Sequence, residues 1–208
     1  MTRPSRPRVK ICGLTRAGDV EAALAAGAWA LGFVLWPSSP RAVTASQVRA
    51  LTSGVPAHIA RVGVVVNASV AAVRRLQTEA GLTHIQLHGD EDVASFLPLD
   101  VDLIKSVSLT NQADVDGAVA LPASVTVLVD AHDPVRRGGT GDRADWTRAA
   151  QVAARRPIIL AGGLRPDNVA EAITKVAPWA VDVSSGVEVA PGEKDVEKIR
   201  ALFVSVLP

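Results

Sequence analysis

Tyrosine is absent from this chain of 208 residues, cysteine and methionine occur once each, and aromatic side chains make up only 3% of it. The single thiol, Cys12, excludes an intramolecular disulfide and a cysteine-rich metal site. With so few rings, the interior must be filled by Val, Ile, Leu and Ala, the composition of strands buried on both faces. A surplus of charge is also missing: 22 basic against 21 acidic residues leave +1. That balance provides no electrostatic basis for nucleic acid or an anionic membrane as partner, although a small anion can still be captured locally. Apolar runs such as Ala30-Leu31-Gly32-Phe33-Val34-Leu35-Trp36 are too short to span a bilayer. The basic opening Met1–Arg8 has no apolar signal core behind it. Residues 1–7 therefore read as a flexible tail and the protein as cytoplasmic.

What the chain does have is a repeated alternation. Short β-branched runs are each followed by an Ala-rich stretch with helical periodicity and then a turn. The strands predicted are Arg8–Cys12, Trp29–Leu35, His58–Val66, His84–His88, Asp102–Val107, Val125–Asp130, Pro157–Ala161 and Trp179–Val183. The helices between them are predicted near Gly18–Ala26, Ala45–Thr52, Val70–Glu79, Glu91–Leu97, Ala113–Ala120, Trp146–Ala154, Asp167–Val176 and Asp195–Leu207. Thr44, Asn111 and Asp195 can cap helix starts, Pro166 precedes the start at Asp167, and Gly27, Gly54 and Gly81 stand where left-handed caps end helices. Alternating strands and helices require a parallel sheet, and eight units allow it to close on itself. Over 1–208 this describes an α/β fold: one single (β/α)8 TIM barrel domain with short loops. An open doubly wound sheet would carry a Gly-rich dinucleotide turn after its first strand. Cys12-Gly13-Leu14-Thr15 stands there instead.

Ligands of such barrels bind at the C-terminal strand ends. Side chains alternate in and out along a strand. On the first strand, Val9 and Ile11 are the apolar pair for the helices, which aims Lys10 and Cys12 inward. On the sixth, Val127 and Val129 face out, which brings Asp130 to the same rim. A thiolate and a carboxyl across one mouth can serve as base and acid. A lone cysteine is more often a small buried hydrophobe, and a strand-end aspartate more often caps a turn. Both standing at the rim favours chemistry. An ammonium at Lys10 would lower the thiol pKa from its usual value of about 8.5. Asp130 needs the opposite shift if it is to donate a proton near neutrality.

Two further turns attract attention. Leu160-Ala161-Gly162-Gly163-Leu164 follows the seventh strand, and Asp182-Val183-Ser184-Ser185-Gly186-Val187-Glu188 follows the eighth. Small residues at both places let backbone N–H groups approach a phosphate, and Ser184 and Ser185 can open a short helix whose N-terminus favours the anion. A Gly-Gly turn is also ordinary loop chemistry. Gly138-Gly139-Thr140-Gly141 could be another phosphate contact or a lid. Arg41, in Ser38-Ser39-Pro40-Arg41, can hold a carboxylate with two hydrogen bonds. Gln86 and His88 face inward as a polar wall, with no second ligand at metal spacing, so no metal is expected.

Taken in order, these strand ends resemble the phosphoribosylanthranilate isomerase family. The matching blocks are Lys10-Ile11-Cys12-Gly13-Leu14-Thr15, Gly32-Phe33-Val34, Ser39-Pro40-Arg41, Arg61-Val62-Gly63-Val64, Gln86-Leu87-His88-Gly89, Leu128-Val129-Asp130, Gly138-Gly139-Thr140-Gly141, Asp145-Trp146, Leu160–Leu164, Pro166–Val169 and Asp182–Glu188. The likeness runs from about Val9 to the last helix. One departure is Ala144, where a phenylalanine usually precedes the Asp-Trp pair. The resemblance implies Cys12 as general base, Asp130 as general acid and Arg41 as the anchor of an anthranilate carboxylate. It places the substrate among Lys10, Arg41, Gln86, His88, Gly139, Gly162, Gly163, Asp182, Ser184, Ser185 and Gly186. The partner implied is a small phosphosugar; no cofactor is needed, and a monomer is expected. The related isomerase of histidine biosynthesis is the nearest alternative, but it uses aspartates at the ends of strands one and five, where this chain has Cys12 and Val107. A non-catalytic phosphate-binding barrel is the alternative from another class.

Overall fold

The computed structural model describes residues 6–130 and 145–206. Eight parallel strands, β1 (Arg8–Ile11), β2 (Ala30–Val34), β3 (Ala60–Val65), β4 (His84–Leu87), β5 (Asp102–Ser108), β6 (Val125–Asp130), β7 (Ile158–Leu160) and β8 (Ala180–Val183), close into a barrel in sequence order. Around it run α1 (Ala17–Ala26), α2 (Ala45–Leu51), α3 (Val70–Ala80), α4 (Gln112–Ala120), α5 (Trp146–Ala153), α6 (Val169–Val176) and α7 (Val196–Ser205). Closure leaves no strand edge unpaired: β1 binds β8 in the register Lys10↔Asp182. None of the described helices is long and apolar enough to cross a membrane.

Two apolar layers follow from strand alternation. Outward residues such as Val9, Ile11, Leu31, Phe33, Val127 and Val129 pack against the helices. Inward residues Ala30, Ala60, Val62, Ile104, Leu128, Ile159, Ala161 and Ala180 fill the barrel itself. Its N-terminal end is floored by Trp29 and Trp179, whose rings meet edge to face at 4.9 Å, with the Arg8 guanidinium 4.8 Å from the Trp179 ring centre. That apolar filling stops at the opposite end, where the polar inward side chains gather.

Local chemistry sets most boundaries as expected. Thr44 and Asn111 form reciprocal capping boxes with Gln47 and Asp114. Asp195 accepts from the backbone of Glu197 and Lys198. Gly27 and Gly81 close α1 and α3 at φ of 96° and 68°.

Four expectations need correction. The fourth helix, expected over Glu91–Leu97, is a 3-10 turn at Val93–Phe96 capped by Asp92. Pro98 denies the segment another turn, and the Glu91 carboxylate is used to hold the backbone N–H groups of Asn67 and Gly89. Gly54 is no left-handed cap: α2 ends at Thr52, whose hydroxyl returns to Val48 O at 2.8 Å. The sixth α-helix begins at Val169 rather than Asp167, because the Asn168 side chain ties down the turn before it. A short antiparallel hairpin, β9 (Glu188–Ala190) with β10 (Glu193–Lys194), stands between β8 and α7 where no strand was expected.

Candidate active site

Lys10 and Cys12 come from one strand face, and their depth decides their character. Lys10 lies inside the barrel with no exposure, and its Nζ is 3.0 Å from both carboxylate oxygens of Asp182. Cys12 is the residue after β1, at the C-terminal rim, and its N–H bonds to Val183 O at 2.9 Å. Room for the sulfur comes from β2: a Cβ on Gly32 would sit 2.8 Å from Cys12 Sγ and 3.0 Å from Lys10 Nζ. Burial opposes the charge on Lys10, but Asp182 and Cys12 outweigh it and raise the ammonium pKa. The expected lowering of the Cys12 thiol does not result. Burial pushes the thiol up, Lys10 pulls it down by proximity and a hydrogen bond, and Asp182 adds to the rise. The counter-charge has the expected sign, but desolvation is larger.

Asp130 is the last residue of β6, so it reaches the same end of the barrel as Cys12. His88 Nε2 stands 3.5 Å from Asp130 Oδ2, and His88 Nδ1 is 2.9 Å from Gln86 Nε2. Gln86 Oε1 is buried without a partner among the described residues. Ser108, at the end of β5, pairs in register with Asp130 and shares its inward face. The fifth strand was predicted to stop at Val107; one more step of strand alternation would have found this hydroxyl.

At β7, Gly162 and Gly163 both take positive φ, 86° and 63°, so only glycine is comfortable at this turn. Asn168 pins it, donating to Gly163 O at 2.9 Å and accepting from Arg165 N at 2.8 Å. The strand-eight turn leans directly on it: a Cβ on Gly186 would lie 1.9 Å from Leu164 O. Ser184 and Ser185 lead into a single 3-10 turn, Ser185–Val187. The two small-residue turns thus form one continuous surface beside Cys12. Gly139, expected to contact the substrate, lies outside the described residues.

Arg41 reaches the site from the loop after β2, and it is not a solvated surface charge. It is 9% exposed and donates side-on to Glu188, from Nε at 2.9 Å and Nη2 at 2.7 Å. Glu188 Oε1 also accepts from Lys194 Nζ at 2.7 Å. Burial resists ionisation of Glu188, but Arg41 and Lys194 outweigh it and hold the carboxyl below its ordinary value. Glu188 as the partner of Arg41, and Lys194 as the second cation on that carboxylate, were missed at the level of sequence, since no motif spacing links them. Among the described residues no group of three His, Cys, Asp or Glu is placed to hold a metal.

The architecture is that of a (β/α)8-barrel enzyme, with ionisable groups and glycine turns gathered at the C-terminal mouth. Residues 9–205 match the family model described as N-(5'phosphoribosyl)anthranilate (PRA) isomerase. An N-(5'-phosphoribosyl)anthranilate isomerase of Chromohalobacter salexigens is 47% identical over 208 residues, covering 99% of this chain and 97% of the relative. The crystal structure of the phosphoribosyl anthranilate isomerase of Thermotoga maritima superimposes with a TM-score of 0.88 at 34% identity, covering 96% of this chain and 98% of that one. A phosphoribosyl anthranilate isomerase in complex with reduced 1-(o-carboxyphenylamino)-1-deoxyribulose 5-phosphate has a TM-score of 0.85 at 33% identity, with the same coverage. This chain belongs to the phosphoribosylanthranilate isomerase family.

Proposed function

We propose that this protein converts N-(5-phosphoribosyl)anthranilate into 1-(2-carboxyphenylamino)-1-deoxyribulose 5-phosphate, an Amadori rearrangement in tryptophan biosynthesis. The observation that carries the reading is the placement of Cys12 and Asp130 at the same end of the barrel, on strands three apart around its circumference. Asp130 protonates the ring oxygen of the sugar while the aniline nitrogen supplies electrons, and the ring opens to a Schiff base. The Cys12 thiolate then removes the proton from C2 and leaves an enolamine. Tautomerisation puts a proton on C1 and a ketone at C2. C1 is reduced as C2 is oxidised, so the step is an intramolecular oxidoreduction and needs no outside electron carrier.

The remaining groups hold the ends of the molecule. The paired turns at Gly162–Gly163 and Ser184–Gly186 take the phosphate through backbone N–H groups. Arg41 takes the aromatic carboxylate. Its Nε and one Nη2 hydrogen are committed to Glu188, so it uses the end-on Nη1/Nη2 edge that remains. Gln86 and His88 set the polar wall beside Asp130. Fixing both ends brings C2 and the ring oxygen to the two proton-transfer groups, the positioning part of the rate enhancement.

Turnover followed by anthranilate fluorescence tests the reading. Cys12→Ala and Asp130→Ala should each reduce kcat by at least about 10²-fold, the usual scale of general acid–base catalysis. Near-normal turnover in both variants would refute the assignment. Arg41→Ala should raise KM, and an unchanged KM would remove the carboxylate anchor.

A further inference from the structure

We infer that Glu188, held by Lys194, is a positioning residue that aims the Arg41 guanidinium at the substrate carboxylate and keeps that region of the mouth positively charged. This rests on the reading above that Arg41 takes the carboxylate. The first argument is geometric. A flexible arginine loses rotamer freedom when it binds an anion; a guanidinium already fixed in its plane does not. Here the stem of Arg41 lies against Gly13, where an added Cβ would be 2.6 Å from Arg41 Cδ. Its head is fixed by the side-on pair to Glu188. What remains is one edge of the guanidinium, with one direction of approach.

Glu188 is itself prevented from turning. Oε1 accepts from Lys194 Nζ at 2.7 Å and from Gly192 N at 3.3 Å. Lys194 Nζ also donates to Ser184 O at 3.2 Å, which ties the pair to the strand-eight turn. The hairpin that carries both residues is anchored on two sides. Thr15 Oγ1 donates to Gly192 O at 2.5 Å, and Lys194 N donates to the Asp19 carboxylate of α1 at 3.0 Å.

Charge supplies the second argument. An arginine in a side-on pair with a carboxylate is a neutral unit and a poor receptor for another anion. Lys194 changes that balance: its side chain has no exposure and burial lowers its ammonium pKa, but Glu188, the carboxylate it shares with Arg41, supports the charged form. Two cations on one anion leave a surplus positive charge in a water-poor cluster, where its field is least screened. The surplus is available to the carboxylate through the end-on edge that Arg41 leaves open among the described residues. Lys194 therefore acts on substrate affinity without touching the substrate.

The test compares kcat and KM for the wild type, Arg41→Ala, Glu188→Gln, Lys194→Met and Arg41→Ala/Glu188→Gln. It is paired with inhibition by the reduced product analogue and by the same analogue lacking the ring carboxylate. Glu188→Gln and Lys194→Met should each raise KM about tenfold or more with kcat within about threefold, the pattern of lost uniform binding. Both should weaken the carboxylate-bearing analogue and leave the other unchanged. In the Arg41→Ala background, Glu188→Gln should add less than about twofold, because the two act through one contact. Equal weakening of both analogues, or a full additional effect in the Arg41→Ala background, would overturn the proposal and leave a merely structural pair. If Arg41→Ala itself fails to discriminate the analogues, the carboxylate anchor is wrong and this inference falls with it. If Arg41→Ala discriminates but neither Glu188→Gln nor Lys194→Met does, only this inference falls. Lys194→Met keeps the test open should Glu188→Gln not fold.

Discussion

Replacing Lys10 with methionine keeps the length and apolar stem of the side chain and removes its ammonium. Lys10 is fully buried, and Asp182, 8% exposed, has both oxygens 3.0 Å from the nitrogen. The variant leaves an uncompensated carboxylate in the barrel, which costs about 3–5 kcal/mol. For a domain of this size each kcal/mol lowers Tm by about 2–4 °C, so the melting point should fall by about 6–20 °C. A second effect is chemical. Burial already pushes the Cys12 thiol up, and Lys10 is the largest influence pulling it down. Without the ammonium the thiol is harder to ionise, and the rising limb of kcat/KM against pH should move to more alkaline values. Calorimetry and a pH–rate profile read the two effects separately. The double variant Lys10→Met/Asp182→Leu removes both charges; it should recover most of the stability but not the neutral-pH activity. A Lys10→Met variant that melts with the wild type, or whose pH profile is unmoved, would refute the reasoning.

Other outcomes follow from single contacts. Gly186→Ala places a Cβ 1.9 Å from Leu164 O, so the two turns must separate. We expect KM for the phosphosugar to rise at least about tenfold, because a shift of about 1 Å in a binding group is costly; unchanged kinetics would mean the turns do not grip the phosphate together. Arg156 donates to Ala118, Val119, Leu121, Pro122 and Val125 carbonyls at 2.6–3.3 Å. Arg156→Met should cost about 1–3 kcal/mol in urea unfolding while sparing kcat, since these charged hydrogen bonds lie away from the mouth. Glu188, facing Arg41 and Lys194, has its carboxyl pKa lowered by folding. Its contribution is therefore complete above the unfolded value of about 4.3 and is lost as pH falls through the lower folded value. The stability gap between wild type and Glu188→Gln should narrow on acidification below about pH 4, and a gap that widened instead would contradict the shift.

The residues differ in how much of their role could be read without coordinates. The position of Cys12 and Asp130 at the rim was legible because each stands at the C-terminal end of a strand whose apolar neighbours declare the outward face. That argument needs only the two-residue repeat of a strand and the rule that barrels bind ligands at their C-terminal ends. Ser108 was within reach of the same logic and was lost to a strand end misplaced by one residue. Glu188 and Lys194 were not legible: the bond from Arg41 to Glu188 joins residues 147 positions apart, and Lys194 reaches the same carboxylate from a hairpin that no periodicity announces. The fourth helix failed for a different reason, since its apolar pattern was sound but Pro98 and the engaged Glu91 left it one short turn.

The amino-acid order by itself determined the alternation of strands and helices, the inward and outward faces and the capping of most helices. These depend on contacts between near neighbours, which the chain carries locally. Only the tertiary structure decided which side chains meet: Lys10 with Asp182, Arg41 and Lys194 with Glu188, and His88 with Asp130. It also decided that burial outweighs the ammonium beside Cys12. Pairing depends on barrel closure and loop packing, and desolvation depends on every atom that excludes water. Neither quantity exists until distant segments have come together.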